Sequence, residues 1–223
     1  MFRLAAAVLA ACPLLVAARP ATALQQATAR GSEPIVGLPC EGCEAVFEGL
    51  PADPPAMARI APDGEPGEAL RIEGTVFDRQ GRTVAGVIVY AYHTDHRGIY
   101  PRGDRPKGEA AYRHGRLRGW AKTDGNGRYR FDTIRPAGYP NSGIPSHVHM
   151  HVIEVGRCAY YIDDLLFDDD PRLSQESRQR LSGGRGGPGL AIPRKDGAGG
   201  WIVTRDIRLG EKIPGYPADH RGP

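Results

Sequence analysis

The chain is 223 residues long and carries 29 lysines and arginines against 26 aspartates and glutamates, with 30 glycines and 20 prolines. So even a balance leaves no basic footprint and argues against nucleic acid as a partner. Abundant glycine and proline without long helical periodicity point instead to short strands joined by turns.

Met1 to Ala23 reads as a secretory leader. Arg3 supplies the positive start, Leu4 to Ala18 is almost wholly apolar, and Ala21-Thr22-Ala23 forms an A-x-A cleavage signal. The expected location is therefore secreted or periplasmic. Leu9-Ala10-Ala11-Cys12 resembles a lipobox that would anchor the chain through a lipid on Cys12, but the apolar run before it is short and Pro13 follows, so it ranks second. Elsewhere no segment approaches the ~18 to 20 apolar residues of a membrane span. The leader removes two basic residues and no acid, leaving 27 against 26.

About 200 residues remain, enough for one domain and an irregular arm. The arm is residues 24–66, where "LPADPPAMARIAPDGEPGE" is too rich in proline and glycine for a regular element. It is free to pack against a partner subunit, so a homo-oligomer is compatible with the chain. Within it, Cys40 and Cys43 of "LPCEGCEA" would close a local disulfide in an oxidising compartment and leave Cys158 unpaired. A C-x-x-C can also be half of a zinc site or a redox pair. No second pair follows at zinc-ribbon spacing and no βαβ pattern surrounds it, which favours the structural role.

Order begins at Ala69. "ALRIEGTVFD" alternates apolar and polar residues, "RQGRT" turns, and "VAGVIVYAYHTD" is a second β-rich run. "LRGWAKTD", a "GNG" turn and "RYRFDTI" then read as a hairpin. "SHVHMHVIEVG" and "GWIVTRDIRL" supply two more strands, with a short helix and a glycine-rich loop between them. The expected fold is all-β, an antiparallel β-sandwich over residues 67–223 with long loops.

One strand is unusual. His147, His149 and His151 alternate with Val148, Met150 and Val152, so three imidazoles leave one face. Tyr100 and Tyr139 are each followed by proline, which holds them to extended backbone angles. A phenol with a pKa of ~10 is a poor neutral-pH ligand, and only a strongly acidic cation favours its phenolate. Ferric iron is such a cation, and hard phenolate oxygens beside imidazoles suit it better than zinc.

The strings "LRIEGTVFDRQGRTVAGVIVYAYHTDHRGIY", "LRGWAKTDGNGRYRFDTIRPAGYP", "IPSHVHMHV" and "IDDLLFDDDP", in that order, resemble the intradiol ring-cleavage dioxygenases, the family of protocatechuate 3,4-dioxygenase and catechol 1,2-dioxygenase. The resemblance covers residues 69–170. It implies one non-haem Fe(III) held by Tyr100, Tyr139, His147 and His149, with His151 outside the ligand set. It further implies a catechol-type substrate that displaces Tyr139, whose phenolate accepts a substrate proton. On the same resemblance, dioxygen would then open the ring between the two hydroxylated carbons, giving a cyclic anhydride that hydrolyses to a muconate-type diacid.

The chain departs from the family pattern twice. Ile144 stands where the family carries an arginine, and Asp164 where it carries a glutamine. A lost electrostatic donor can cost ~10² to 10³ in rate; Arg102, Arg105, Arg113, His114 and Arg116 are the cationic candidates to replace it. An acid at Asp164 is tolerable beside a dianionic substrate only if protonated or turned away. Ile144 at the mouth would favour a less negative substrate than protocatechuate. His93, His96 and Tyr112 read as solvated loop residues, and Asp124 and Asn126 as turn formers. Two other functions fit parts of the pattern: an iron- or catecholate-binding protein without turnover, and a carboxypeptidase-regulatory-like sandwich serving as an interaction module.

Overall fold

A computed structural model describes residues 33–40, 42–104 and 106–218. The leader at 1–23, Cys12 and the first part of the arm lie outside them. Among the described residues, no helix is long and apolar enough to cross a membrane.

The described residues form eleven strands and one α-helix, in chain order β1 (Met57–Arg59), β2 (Ala69–Phe77), β3 (Ile88–His93), β4 (Arg118–Lys122), β5 (Arg128–Ile134), β6 (His147–Glu154), β7 (Cys158–Phe167), α1 (Gln175–Leu181), β8 (Leu190–Ala191), β9 (Arg194–Lys195), β10 (Trp201–Thr204) and β11 (Ile207–Arg208). They form two sheets. One runs β1-β5-β2-β10-β9 with β11 also on β2, and the other runs β4-β3-β6-β7-β8. The body of the sandwich is antiparallel, as in β2 with β5 and in β3 with β6. At the margins β1, β8, β10 and β11 pair in parallel, so the expected antiparallel sandwich is a mixed one.

Between the sheets lie Leu70, Ile72 and Val76 of β2, Phe131 of β5, Val148, Met150 and Val152 of β6, and Tyr160, Ile162 and Leu165 of β7. Burying each of these side chains contributes about 1.5–3 kcal/mol before the ordering entropy is counted. The outer face of the second sheet is covered as well. Tyr90 and Tyr92 of β3 and Ile153 of β6 pack there with Val46, Phe47 and Leu50. The residues expected to be an irregular arm therefore contain a 3₁₀ turn at Cys43–Val46 and the strand β1. Apolar side chains in the gaps between the prolines pull this segment onto the sheet.

Three further expectations change. The segments read as a hairpin, β4 and β5, belong to opposite sheets. The turn forms as read, with Asp124 Oδ1 accepting from the amides of Asn126 at 2.9 Å and Arg128 at 2.8 Å, but it rounds a corner of the sandwich. The strand expected over "GWIVTRDIRL" is broken at Arg205, whose buried guanidinium donates to the carbonyls of Asp206 at 2.7 Å and Gly186 at 3.2 Å. Finally, β7 runs through a segment read only as a motif. A register shift between Val148 and Met150 leaves Asp163 and Asp164 together opposite His149. That bulge breaks the alternation by which a strand is recognised.

Candidate metal centre

Both tyrosines come from loops, and the two loops are fastened together. After β3, the Asp95 carboxylate accepts from the amides of Arg97 at 2.9 Å and Ile99 at 3.1 Å. Burial alone would raise its pKa, but these amides and the Arg97 guanidinium bring it below the usual carboxylate value. Thr94 Oγ1 donates to the Ala137 carbonyl at 2.7 Å, tying this loop to the one that carries Tyr139. Gly98, at φ 80°, approaches so closely that a Cβ there would stand 2.2 Å from the Gly138 carbonyl oxygen. Only glycine fits both the angle and the gap.

The histidines are held by β6. Ser146 anchors its start, donating from its amide to Asp170 at 2.7 Å and from its hydroxyl to the Pro136 carbonyl at 2.6 Å. With this framework the four polar tips meet. Tyr100 Oη lies 2.7 Å from Tyr139 Oη and 2.8 Å from His149 Nε2. His147 Nε2 lies 3.2 Å from Tyr139 Oη and 3.2 Å from His149 Nε2.

The outer ring nitrogens decide what the inner ones are. His147 Nδ1 is 2.7 Å from the Pro145 carbonyl, which can only accept, so Nδ1 carries the proton. His149 Nδ1 is 2.9 Å from Asp164 Oδ1, which also accepts from the Tyr161 hydroxyl at 2.9 Å. Burial would raise the Asp164 pKa, but these hydrogen bonds bring it below the ordinary value and keep it ionised. With Nδ1 the outward donor on each ring, both Nε2 atoms point into the cluster 3.2 Å apart, each within reach of a tyrosine hydroxyl. Burial also lowers the His147 pKa, which disfavours a shared proton. Two imidazole nitrogens and two phenolic oxygens converging in this way fit a cation. Burial, with the Tyr139 hydroxyl beside it, pushes the Tyr100 phenol well above its ordinary pKa, so its phenolate needs a strongly acidic one.

The cluster opens onto a pocket of about 780 Å³ whose lining includes Tyr100, Tyr139 and His149. That size is in the range of sites for drug-sized ligands. Lys107, Arg113 and Arg185 bring positive charge to its wall, and Glu44 and Glu109 negative charge. Tyr92 stacks between His149 and His114, with centroid distances of 4.5 and 3.6 Å.

A dioxygenase family model matches residues 48–181, well over half of the chain and a span that holds all four donors. The chain belongs to the intradiol ring-cleavage dioxygenases. Among its relatives, catechol 1,2-dioxygenase 1 of Acinetobacter lwoffii is 34% identical over 109 residues, covering 42% of this chain and 34% of that protein. The protocatechuate 3,4-dioxygenase beta chain of Burkholderia cepacia is 29% identical over 136 residues, 56% of each. The chain thus spans between a third and just over half the length of these curated relatives. The fold matches the dioxygenase domain of a dioxygenase carbohydrate-binding protein fusion from Streptomyces sp. SirexAA-E, with TM-score 0.55 and 24% identity over 72% of this chain and 91% of that one. Acinetobacter radioresistens catechol 1,2-dioxygenase matches with TM-score 0.54 and 22% identity over 80% of this chain and 65% of that one.

In this family member the remaining candidates sort by position. His151 turns away from the cluster toward Cys43, 3.7 Å from its sulfur. His93 is buried, not solvated, between the Thr94 carbonyl and Thr133 Oγ1, each at 2.7 Å. Tyr112 lines the pocket and His96 is exposed. Arg116 pairs with Glu65 at 2.6 Å, whereas Arg113 lines the pocket and Arg105 lies outside the described residues. Ile144 is 46% exposed and lies outside the pocket lining, which removes the ground for reading substrate charge from it. Asp164 is the turned-away acid, on the back of His149. Arg185 was not foreseen. It lines the pocket with its guanidinium 4.6 Å over the Tyr161 ring and paired with Asp163 at 3.1 Å, and no local motif marks it in its glycine-rich loop.

Proposed function

We propose that this chain is an exported non-haem Fe(III) dioxygenase that uses O₂ to open the ring of a substituted catechol, giving a muconate-type diacid. The reading is supported by the cluster of Tyr100, Tyr139, His147 and His149, whose two Nε2 atoms face each other 3.2 Å apart beside the two phenolic oxygens. These four groups would hold ferric iron, which would supply Lewis acidity toward a catecholate.

The chain's own residues do the rest. Asp164 keeps the proton on His149 Nδ1 and so holds Nε2 bare. The Pro145 carbonyl does the same for His147. Tyr139 Oη, on the pocket wall, takes a proton from a substrate hydroxyl. Arg185, with Arg113 and Lys107, places positive charge where a substrate anion would lie, the task that Ile144 cannot perform. The pocket volume leaves room for ring substituents. Export rests on the composition of residues 1–23 and is checked by the N-terminal sequence of protein recovered from the cell envelope or medium.

The activity is tested by oxygen uptake of the purified, iron-loaded protein with a panel of catechols, the ring-opened product being identified by mass spectrometry. A red tyrosinate-to-iron band with stoichiometric oxygen uptake supports the reading. Iron binding without uptake on any catechol overturns the catalytic part and leaves a binding protein.

A further inference from the structure

A second cluster of ligand-type side chains lies beside the first, and neither the family match nor the ring-cleavage reading uses it. Cys40 and Cys43 precede the matched segment, and His151 is the third histidine of β6. Cys40 and Cys43 form the expected local disulfide, and their sulfurs and one His151 ring nitrogen all lie within 4.8 Å of one another.

We propose that Cys40, Cys43 and His151 form a redox-gated binding site for a soft d¹⁰ cation, Zn²⁺ being the natural occupant, which exists only when the Cys40–Cys43 disulfide is open. The first support is geometric. Bonds of about 2.3 Å to sulfur and about 2.0–2.1 Å to nitrogen at a tetrahedral angle put the two donors about 3.6 Å apart. His151 Nδ1 and Cys43 Sγ are 3.7 Å apart. The second support is an unmet need. His151 is 1% exposed, its Nδ1 meets only that sulfur, and its Nε2 has no hydrogen-bond partner among the described residues. A histidine buried so completely with no oxygen or nitrogen partner is rare unless a ligand is meant to meet it.

A second histidine borders the cysteine turn, outside the 4.8 Å group. A Cβ on Gly42, which lies between the two cysteines at φ 73°, would be 2.7 Å from His114 Nε2. Tyr90 Oη occupies the other His114 nitrogen at 2.8 Å, leaving Nε2 facing the cysteine turn. Cys40 and Gly42 line the large pocket, which supplies an entry path.

The chemistry balances. A dithiol reductant delivers two electrons and two protons, opening the Cys40–Cys43 bond to two thiols while closing to its own disulfide. The cation then displaces both thiol protons to solvent. Disulfide and metal exclude each other, because the sulfurs cannot be bonded together and both hold the ion as thiolates.

The test uses the full chain, iron-loaded and free of oxygen, before and after reduction with a phosphine, which takes up oxygen from water and forms no metal thiolate. Each form is titrated with Co²⁺ and then Zn²⁺. The proposal expects a thiolate-to-cobalt charge-transfer band in the reduced form only, one ion per chain, displaced by zinc. His151→Asn should weaken cobalt binding about tenfold or more, and the Cys40→Ser/Cys43→Ser double variant should show no band. Absence of the band in reduced wild-type protein overturns the proposal, as does equal affinity in His151→Asn. Because the readout is a sulfur band, it is independent of whether the tyrosine–histidine centre turns over any catechol.

Discussion

Asp164 Oδ1 and His149 Nδ1 are 2.9 Å apart, and this one contact settles which nitrogen of His149 faces the cluster. The Asp164→Asn variant keeps the shape and removes the charge. Loss of such a partner typically costs about 10- to 100-fold in metal affinity. Iron retention against a chelator should fall by that order, and the visible band should move. Unchanged retention would show that the carboxylate does not tune the ligand.

Tyr139 Oη touches Tyr100 Oη and His147 Nε2 at the wall of the pocket. Tyr139→Phe deletes one oxygen at little cost to packing. Its visible band should weaken or shift, and turnover should drop by about 10²-fold or more if the phenolate takes the substrate proton. Stopped-flow spectra and steady-state rates on the same preparation check both. A variant with wild-type rate would assign the proton to another group.

Among the described residues, Arg185 is one of three cations on the pocket wall and is held between Asp163 and the Tyr161 ring. Arg185→Gln should reduce kcat/KM for carboxylated catechols by about tenfold or more while sparing neutral ones. Equal losses on both classes would mean that the side chain positions the loop, not the substrate.

Gly98 sets the distance between the two tyrosine loops. Gly98→Ala forces a left-handed residue against the Gly138 carbonyl and should destabilise the fold by about 2 kcal/mol or more. Because the loops must separate, iron affinity should fall with it. Chemical denaturation and metal content measure the two effects, and a variant with normal stability would contradict the steric account.

His93 is buried between two hydrogen-bond partners, and burial brings its pKa down from 6.5 to about 4. Its folded pKa lies below the unfolded value, so between pH 6.5 and about 4 the unfolded chain binds the extra proton. Stability contributed by the neutral ring is present above pH 6.5 and is lost as the pH falls through that window, by about 1.4 kcal/mol per unit. Urea unfolding at pH 7 and pH 5 should show the slope, and His93→Gln should reduce it by one proton's share, the rest coming from His114, His147 and His151, whose pKa values burial also lowers.

The sequence by itself determined the all-β class, most of the long strands and the metal-ligand candidates. Alternation in β2 and β6 is a local property, and Tyr100, Tyr139, His147 and His149 stand in motifs a few residues long. The family resemblance told which of the histidines to pair with the tyrosines. Tertiary structure alone decided the rest. Assigning β4 and β5 to different sheets depends on which partner each finds, and both fit the same turn. The bulge in β7 hides its period, and only across the ladder does Asp164 meet His149. Arg185 and the Cys40–Cys43 turn reach the pocket from opposite ends of the chain, each carried there by packing. Periodicity speaks for neighbours along the chain, whereas a site is made by neighbours in space.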